Sequence, residues 1–195
     1  MSKDQNSKKE KFSQPEKKSK SPLIGGMIIL GVAIIAGSFF LTDNNKSDSD
    51  RFATATVGQT VDYSGPTPLQ QVKVDPVKAE NGKVVISTLA ELKDKKFIYT
   101  QYQAGGKALP LTALVRPDGS VVVAVSICEP CNSDSFRIEG DIIVCNACNT
   151  MWELESFKGI SGGCTDYPPD LLVYTQNGDN LEVDQAVLDA WQPRV

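Results

Sequence analysis

The 195-residue sequence contains no histidine, and this absence excludes several kinds of functional site. The c-type haem attachment motif, Cys-x-x-Cys-His, cannot form, because Asn132 and Asn149 follow the two Cys-x-x-Cys pairs. A zinc hydrolase site built on histidine ligands is excluded as well. The Ser-His-Asp and Cys-His arrangements of nucleophilic catalysis are also impossible. We therefore expect no haem and no histidine-dependent catalytic residue.

Positive charge is scarce outside the N-terminal segment. The chain has 20 lysine and arginine residues against 24 acidic ones, a net charge of −4. Residues 1–22 carry seven lysines and a net charge of +4, so the remaining 173 residues carry −8. An acidic body argues against nucleic acid as a partner. The polar, Lys- and Ser-rich composition of residues 1–22 predicts a disordered, basic cytoplasmic tail.

Residues 23–41 form a run of 19 residues without charge, which is long enough to cross a bilayer as a helix. Lysines precede this run and aspartates follow it, so the positive-inside rule places the N-terminus in the cytoplasm and the C-terminal domain outside. The alternative is a cleaved signal peptide, but the nearest small-x-small site, at residues 53–55, lies too far downstream. We predict a single-pass cell-membrane protein in which residues 42–56 are a linker.

The remaining residues, 57–195, have the texture of a mainly β domain. Predicted strands are separated by Gly105-Gly106, Pro117-Asp118-Gly119, Glu139-Gly140-Asp141 and Asn177-Gly178. The strands are expected at 83–87, 97–102, 109–116, 121–127, 136–138, 142–144, 151–154, 171–175 and 181–183. Thr88 and Glu91 fit a capping box for a helical turn at 89–92, and Asp184 is a candidate cap for a short helix ending near Trp191.

Five cysteines are concentrated in the second half of the chain. Their spacing is Cys128-x2-Cys131-x13-Cys145-x2-Cys148, followed after 15 residues by Cys164. Two Cys-x-x-Cys pairs on neighbouring hairpin tips can place four thiolates around one centre. Four thiolates suit zinc or an iron–sulfur cluster, because both favour tetrahedral sulfur ligation at each metal.

Disulfides are the alternative interpretation of this pattern, since they persist outside the cell membrane. A disulfide within one Cys-x-x-Cys pair closes a very short loop and therefore stabilises little. A thioredoxin-like redox motif needs a helix N-terminus, whereas the flanks here predict strands. Cys164 allows two interpretations, a further ligand or redox partner and a buried small residue, and the sequence leaves both open.

The order of these features resembles the Rieske fold. A strand ends in a first ligand loop, a hairpin leads to a second ligand loop, and a Gly- and Pro-rich third loop follows at 159–169. Cys145-x2-Cys148 matches the second-loop spacing of that fold, with Cys148 in the place of a histidine. The first pair departs from the Rieske pattern, because its spacing is x2 instead of x1. The resemblance implies an antiparallel β sandwich or barrel with a two-hairpin metal-binding subdomain.

The chain is more similar to the FtrD-like membrane iron–sulfur proteins. Their pattern is two Cys-x-x-Cys pairs around a short hairpin, then Gly-Gly-Cys and a proline, represented here by Gly162-Gly163-Cys164 and Pro168. The resemblance covers residues 95–175 and the N-terminal anchor. It implies a bacterial protein that passes electrons beside an iron permease, so the expected partners are a membrane permease or a redox protein.

Two functions therefore remain open. The first is electron transfer by a membrane-anchored iron–sulfur protein, with 2Fe–2S favoured because a closed zinc site does not need the Gly-Gly-Cys loop. All-cysteine ligation then predicts a potential nearer roughly −400 mV than the roughly −150 to +300 mV of histidine-ligated Rieske centres. The second is a non-redox domain with a structural four-cysteine zinc site that docks a membrane partner. Either way we expect an accessory or electron-transfer protein rather than a substrate-converting enzyme.

Overall fold

The structure of this protein is a computed structural model that describes residues 55–104 and 106–195. The predicted basic tail at 1–22, the predicted membrane helix at 23–41 and most of the predicted linker lie outside these residues. Within the described part of the chain, no helix is both long and apolar enough to cross a bilayer. The described part begins at Ala55, which is buried, and Thr56 bridges Ser120.

The described residues form a mainly β domain, as predicted. In chain order its strands and two α-helices are β1 (Leu69–Gln70), β2 (Val72–Lys73), β3 (Ala79–Glu80), β4 (Lys83–Thr88), α1 (Leu89–Lys95), β5 (Phe97–Ala104), β6 (Lys107–Val115), β7 (Val121–Val125), β8 (Phe136–Glu139), β9 (Ile142–Cys145), β10 (Met151–Glu153), β11 (Gly159–Ser161), β12 (Asp170–Leu171), β13 (Thr175–Asn177), β14 (Asn180–Asp184) and α2 (Gln185–Ala190). A 3-10 turn at Glu129–Cys131 follows β7.

The strands are arranged in three sheets whose pairings are antiparallel, apart from a parallel pairing of β2 with β5. The central sheet has the order β12-β7-β6-β5-β2. A second sheet, β1-β8-β9-β10-β11, contains the predicted two hairpins, and a third has the order β13-β14-β4-β3. The second sheet is termed the cysteine sheet below, because β9 ends in Cys145 and its neighbouring loops contain the other cysteines.

The central sheet packs on both faces, which explains the uninterrupted apolar sequence of β7. Val121, Val123 and Val125 lie in one hydrophobic cluster, together with residues of the third sheet. Val122 points the other way, into a second cluster that contains the cysteines. A strand buried on both faces shows no polar alternation, because successive side chains point to opposite sides. The cysteine sheet is therefore packed against the face of the central sheet to which Val122 points.

Both predicted helices form, and each begins directly after the residue that was predicted to cap it. The Thr88 hydroxyl accepts a hydrogen bond from the Glu91 N–H at 3.1 Å, so the predicted cap begins α1, which continues to Lys95. Helix α2 follows Asp184 as predicted. The Asp184 side chain makes no capping hydrogen bond and instead lies 2.7 Å from Lys83 Nζ. Charge pairing across β4 and β14 thus replaces the predicted cap.

The predicted strand at 171–175 is divided between two sheets. Asp170–Leu171 pairs with β7, whereas Thr175–Asn177 forms the hairpin with β14 around a turn that includes Gly178. Between them the chain crosses from one sheet to the other. Leu172 and Tyr174 are buried in this crossing, and the Tyr174 hydroxyl donates a hydrogen bond to the Val121 carbonyl. A continuous run of apolar residues fits this anchored crossing as well as it fits one strand.

The turn between β6 and β7 offers a test of backbone constraint. Gly119 has φ +87°, and a Cβ there would lie 2.3 Å from the Gln59 carbonyl oxygen. We expect Gly119→Ala to reduce the free energy of unfolding by about 3 kcal/mol, at the upper end for strained backbone positions. Gly178, with φ +61° and open space around it, is the matched control. Gly178→Ala should cost about 1 kcal/mol; equal losses in urea unfolding would contradict the steric argument.

Candidate metal centre

Three loops at one end of the cysteine sheet carry the five cysteines. The first cysteine loop, residues 126–135, connects β7 of the central sheet to β8 and contains Cys128 and Cys131. The second cysteine loop, residues 145–150, connects β9 to β10 and contains Cys145 and Cys148. The third loop, residues 162–169, connects β11 to β12 and contains Cys164. Gly140, with φ +56°, turns the hairpin that joins β8 to β9.

The first and second cysteine loops close with the same hydrogen bond. The Cys128 N–H donates to the Ser133 carbonyl at 2.7 Å, and the Cys145 N–H donates to the Thr150 carbonyl at 3.0 Å. Each bond joins the first cysteine of a pair to the residue five positions later. The two loops are therefore closed in the same way, and each presents two sulfur atoms from a short turn.

The residue after each pair provides a second common feature. Asn132 has φ +52° and Asn149 has φ +56°, the left-handed region that asparagine tolerates better than most residues. This turn directs the next N–H groups back to the preceding sulfur: Ser133 donates to Cys131 and Thr150 donates to Cys148. The same Cys-Asn sequence in both loops thus supplies one N–H donor to one sulfur in each loop.

The two loops bring four sulfur atoms together. These belong to the four-cysteine group, which comprises Cys128, Cys131, Cys145 and Cys148, and all four sulfurs lie within 4.8 Å of one another. The Cys128–Cys148 sulfur separation is 3.8 Å, and the Cys131–Cys145 separation is 3.7 Å. Each of these pairs takes one cysteine from each loop, so the arrangement requires both loops. All five cysteines are free thiols.

This arrangement fits a metal. Metal–sulfur bonds of about 2.3 Å in a tetrahedron place neighbouring sulfurs about 3.8 Å apart, the separation of the two closest pairs. Burial raises the pKa of Cys128 and raises that of Cys131 to about 11. Buried thiols of this kind stay protonated unless a cation takes the place of the proton. The donor set is soft sulfur, which favours zinc or iron over magnesium or calcium.

Thr150 controls the environment of Cys148. Its hydroxyl oxygen accepts the Cys164 N–H at 3.3 Å, so its proton is available to the Cys148 sulfur, also at 3.3 Å. Burial opposes the Cys148 thiolate, but hydrogen bonds from the Thr150 hydroxyl and backbone N–H, together with those from the Cys145 and Cys131 side chains, outweigh it and lower the pKa of Cys148 to about 6. Cys148 therefore loses its proton more easily than Cys128 or Cys131.

An apolar shell surrounds the sulfurs on the protein side. Cys128 and Cys145 are fully buried, whereas Cys131 and Cys148 are half-buried at the surface. The ring centroids of Phe136 and Trp152 lie 6.2 Å apart within the same hydrophobic cluster. The buried shell comprises Phe97, Leu114, Val122, Phe136, Ile138, Ile143, Trp152, Leu154 and Phe157. One side of the site is thus lined by buried apolar side chains, and the other is partly exposed to solvent.

A buried polar network beneath the first cysteine loop was not predicted from the sequence. The Gln71 amide donates to Ser126 Oγ at 2.9 Å, and its oxygen accepts the Phe136 N–H at 2.9 Å. Ser126 in turn donates to the Asp134 carbonyl, and the Tyr99 hydroxyl donates to the Asp134 carboxylate at 2.6 Å. Gln71 lies in irregular sequence more than 50 residues before the loop, and no motif marks it.

A second unpredicted support comes from the C-terminus. Glu129 lies in the first cysteine loop, and its side chain is 1% exposed. Arg194 donates to this carboxylate and also to the Pro168 carbonyl of the third loop, at 2.6 Å. Its guanidinium lies 5.7 Å from the centre of the Tyr167 ring. One arginine therefore connects the first and third loops, and the charge on the buried Glu129 is paired.

The loop geometry predicts different outcomes for two substitutions of one residue. Asn132→Ala places a residue with a Cβ at φ +52°, which should lower the free energy of unfolding by about 1 kcal/mol. Asn132→Gly should be close to neutral, because glycine adopts this conformation without steric cost. Urea unfolding measures both variants. Equal stability of the alanine and glycine variants would show that the left-handed turn is not the constraint.

The Arg194 contact predicts a larger effect on stability. Arg194→Ala leaves a buried carboxylate without its cation, and breaking a fully buried pair costs roughly 3–5 kcal/mol. Because the arginine is 34% exposed, we expect a smaller loss of about 2 kcal/mol. Lys83→Ala, which removes the exposed pair with Asp184, is the control and should cost less than about 1 kcal/mol. A smaller loss for Arg194→Ala than for Lys83→Ala in thermal unfolding would contradict the assignment.

Comparison with known proteins identifies the family of this chain. No curated protein matches it. Among solved structures, the chain is similar to a Sphingomonas yanoikuyae B1 ferredoxin, with 23% identity and a TM-score of 0.42 over 53% of this chain and 98% of that one. A family model described as "Membrane iron-sulfur containing protein FtrD-like" matches residues 92–195, which include all five cysteines and more than half of the sequence. The chain belongs to the FtrD-like family of membrane iron–sulfur containing proteins.

Proposed function

We propose that this protein transfers electrons through an iron–sulfur centre held by the four-cysteine group. The observation that carries the proposal is the convergence of four sulfurs, from two loops of matching geometry, to within 4.8 Å of one another. Membership of a family described as iron–sulfur containing supports the same conclusion. The loop, hairpin and second-loop order of the cysteine sheet also supports a Rieske-like subdomain with thiolates in place of histidines.

The four cysteines differ in burial, and this difference suggests how they would hold the centre. Cys128 and Cys145 are buried and would fix the centre to the apolar shell, whereas Cys131 and Cys148 would form its exposed edge. An iron–sulfur centre supplies reversible one-electron transfer at a potential set by ligand charge, hydrogen bonds to sulfur and burial. The Ser133 and Thr150 N–H groups donate to two of the sulfurs and would favour their thiolate forms.

The exposed edge is suited to contact with a protein partner. Pro130, Asn132, Ala147 and Asn149 are exposed in the two cysteine loops, and none of them is charged. A partner can approach such a surface without desolvating a charge. We propose that the partner is a membrane redox protein or permease of a bacterial iron-uptake system. An N-terminal anchor at residues 23–41 would hold the domain beside that partner at high effective concentration.

One observation favours a second candidate, a single tetrahedral ion such as zinc. All four sulfurs lie within 4.8 Å of one another, the spacing of ligands around one metal. A 2Fe–2S centre would need more room than one ion between the Cys128–Cys148 and Cys131–Cys145 pairs. Moving these pairs apart would separate the two sulfurs within each loop, because each pair takes one cysteine from each loop. A zinc-bound domain would be a non-redox docking module.

Metal analysis and spectroscopy of one sample separate the two candidates. The full-length chain, purified without oxygen, should contain iron and acid-labile sulfide and should be brown. Its visible absorption should bleach on reduction and return on oxidation. We expect Cys145→Ser to abolish the absorption, because a buried ligand is lost from the four-cysteine group. Cys164→Ser, which leaves all four members intact, is the matched control and should keep the iron.

The opposite results are equally clear. A colourless protein with one zinc ion per chain would exclude electron transfer by the chain and support the structural candidate. A protein that binds neither metal would exclude both. Iron retained equally in Cys145→Ser and the parent chain would show that the four-cysteine group does not hold the centre.

A further inference from the structure

The fifth cysteine lies beside the four-cysteine group. The Cys164 sulfur is 3.9 Å from the Cys148 sulfur, nearly the 3.8 Å that separates Cys148 from Cys128. It also lies close enough to Cys128 to contribute to the raised pKa of that thiol. Cys164 is 7% exposed and belongs to the same hydrophobic cluster as the four ligands. The site therefore contains five clustered sulfurs, one more than a tetrahedral ion requires.

The third loop is built to hold Cys164 at this point. Gly162 has φ +113°, and a Cβ there would lie 2.4 Å from Thr150 Oγ1, so only glycine allows the loop to approach the second cysteine loop this closely. The Cys164 N–H then donates to the same Thr150 hydroxyl that contacts the Cys148 sulfur. Thr150 thus positions Cys148 and Cys164 together.

We propose that Cys164 is a reserve ligand that replaces Cys148 at the metal centre. The proposal rests on the proposed function in that a metal must occupy the four-cysteine group. The exchange is a ligand substitution: the metal–sulfur bond to Cys148 breaks, Cys148 takes up a proton, and the Cys164 thiolate forms a new bond after losing its own proton. No oxidant or reductant is consumed, and the number of thiolates on the metal stays at four.

Position explains why Cys148 is the ligand that can be replaced. Cys148 is half-buried in the second cysteine loop, where solvent can reach it, whereas Cys164 is buried. Cys164 contacts Cys148 and Cys128 but is not part of the group within 4.8 Å, so it would move toward the metal as Cys148 leaves.

Metal content of four variants of the full-length chain tests the proposal. Cys148→Ser should retain metal close to the parent level, with altered visible absorption, because Cys164 takes the vacant position. Cys131→Ser is the matched control, since Cys131 is also half-buried and its sulfur lies 3.7 Å from that of Cys145, a member of the four-cysteine group. It should lose more than the roughly 10–100-fold in metal affinity that removal of a mere supporting group costs. Cys148→Ser/Cys164→Ser should lose metal to the same extent, and Cys164→Ser alone should keep it.

Cobalt(II) substitution provides a second readout, because thiolate-to-cobalt absorption increases with the number of bound thiolates. Cys148→Ser should show the four-thiolate intensity of the parent chain, and the double variant should show less. Equal behaviour of Cys148→Ser and the double variant, including a shared failure to fold, would overturn the proposal. A parent chain that binds no metal would overturn the proposed function itself, whereas metal in the parent and its loss from Cys148→Ser would overturn only the reserve ligand.

Discussion

The contact between sulfurs of different loops is the constraint on which the site depends. Cys128 meets Cys148 and Cys131 meets Cys145, so neither Cys-x-x-Cys pair forms the site alone. The first cysteine loop leaves the central sheet through β7, whereas the second lies wholly within the cysteine sheet. The site therefore exists only when the two sheets pack correctly. That packing is apolar, through Val122 and Leu114 on one side and Trp152 and Ile143 on the other.

A buried thiolate is costly in free energy, and this cost accounts for the hydrogen-bond donors beside the sulfurs. Sulfurs such as those of Cys128 and Cys145 are buried among apolar side chains, where a thiolate without a counter-charge is unfavourable. A bound cation removes this penalty, and the N–H donors of Ser133 and Thr150 reduce what remains. Metal binding and folding of the loops should therefore be coupled, as they are in other sites built from thiolates.

The third loop ties the site to the rest of the molecule. Its Thr165 carbonyl accepts the Trp152 indole N–H at 2.9 Å, and its Pro168 carbonyl accepts from Arg194, which also pairs with Glu129 in the first cysteine loop. A movement of the third loop would thus strain its hydrogen bonds to Trp152 in the apolar shell and, through Arg194, the contact with the first cysteine loop. Cys164 lies on this loop, which gives its position beside Cys148 a structural basis as well as a chemical one.

Much of this arrangement was predictable because it depends on local chemistry. The Thr88 cap of α1, the Pro117-Asp118-Gly119 turn and the hairpin turned by Gly140 are each indicated by residues within the structure that they form. The other half of the predicted capping box is replaced, because the Glu91 carboxylate accepts hydrogen bonds from Ser87 and Lys95. The prediction of one strand at 171–175 was wrong, because a short apolar run does not distinguish a paired strand from a buried crossing between sheets. No sequence motif indicated that Gln71 would form hydrogen bonds with Ser126 and Phe136.

By itself the sequence determined the chemistry of the site: the absence of histidine, two Cys-x-x-Cys pairs around a short hairpin, an asparagine after each, and a Gly-Gly-Cys loop. Spacing of this kind is local, so it survives in the one-dimensional pattern. Tertiary structure alone decided which sulfurs are neighbours, that Cys164 lies 3.9 Å from Cys148, and that Arg194 pairs with Glu129, 65 residues away. These contacts depend on the packing of sheets and loops distant in the chain, and no periodicity or motif records that packing.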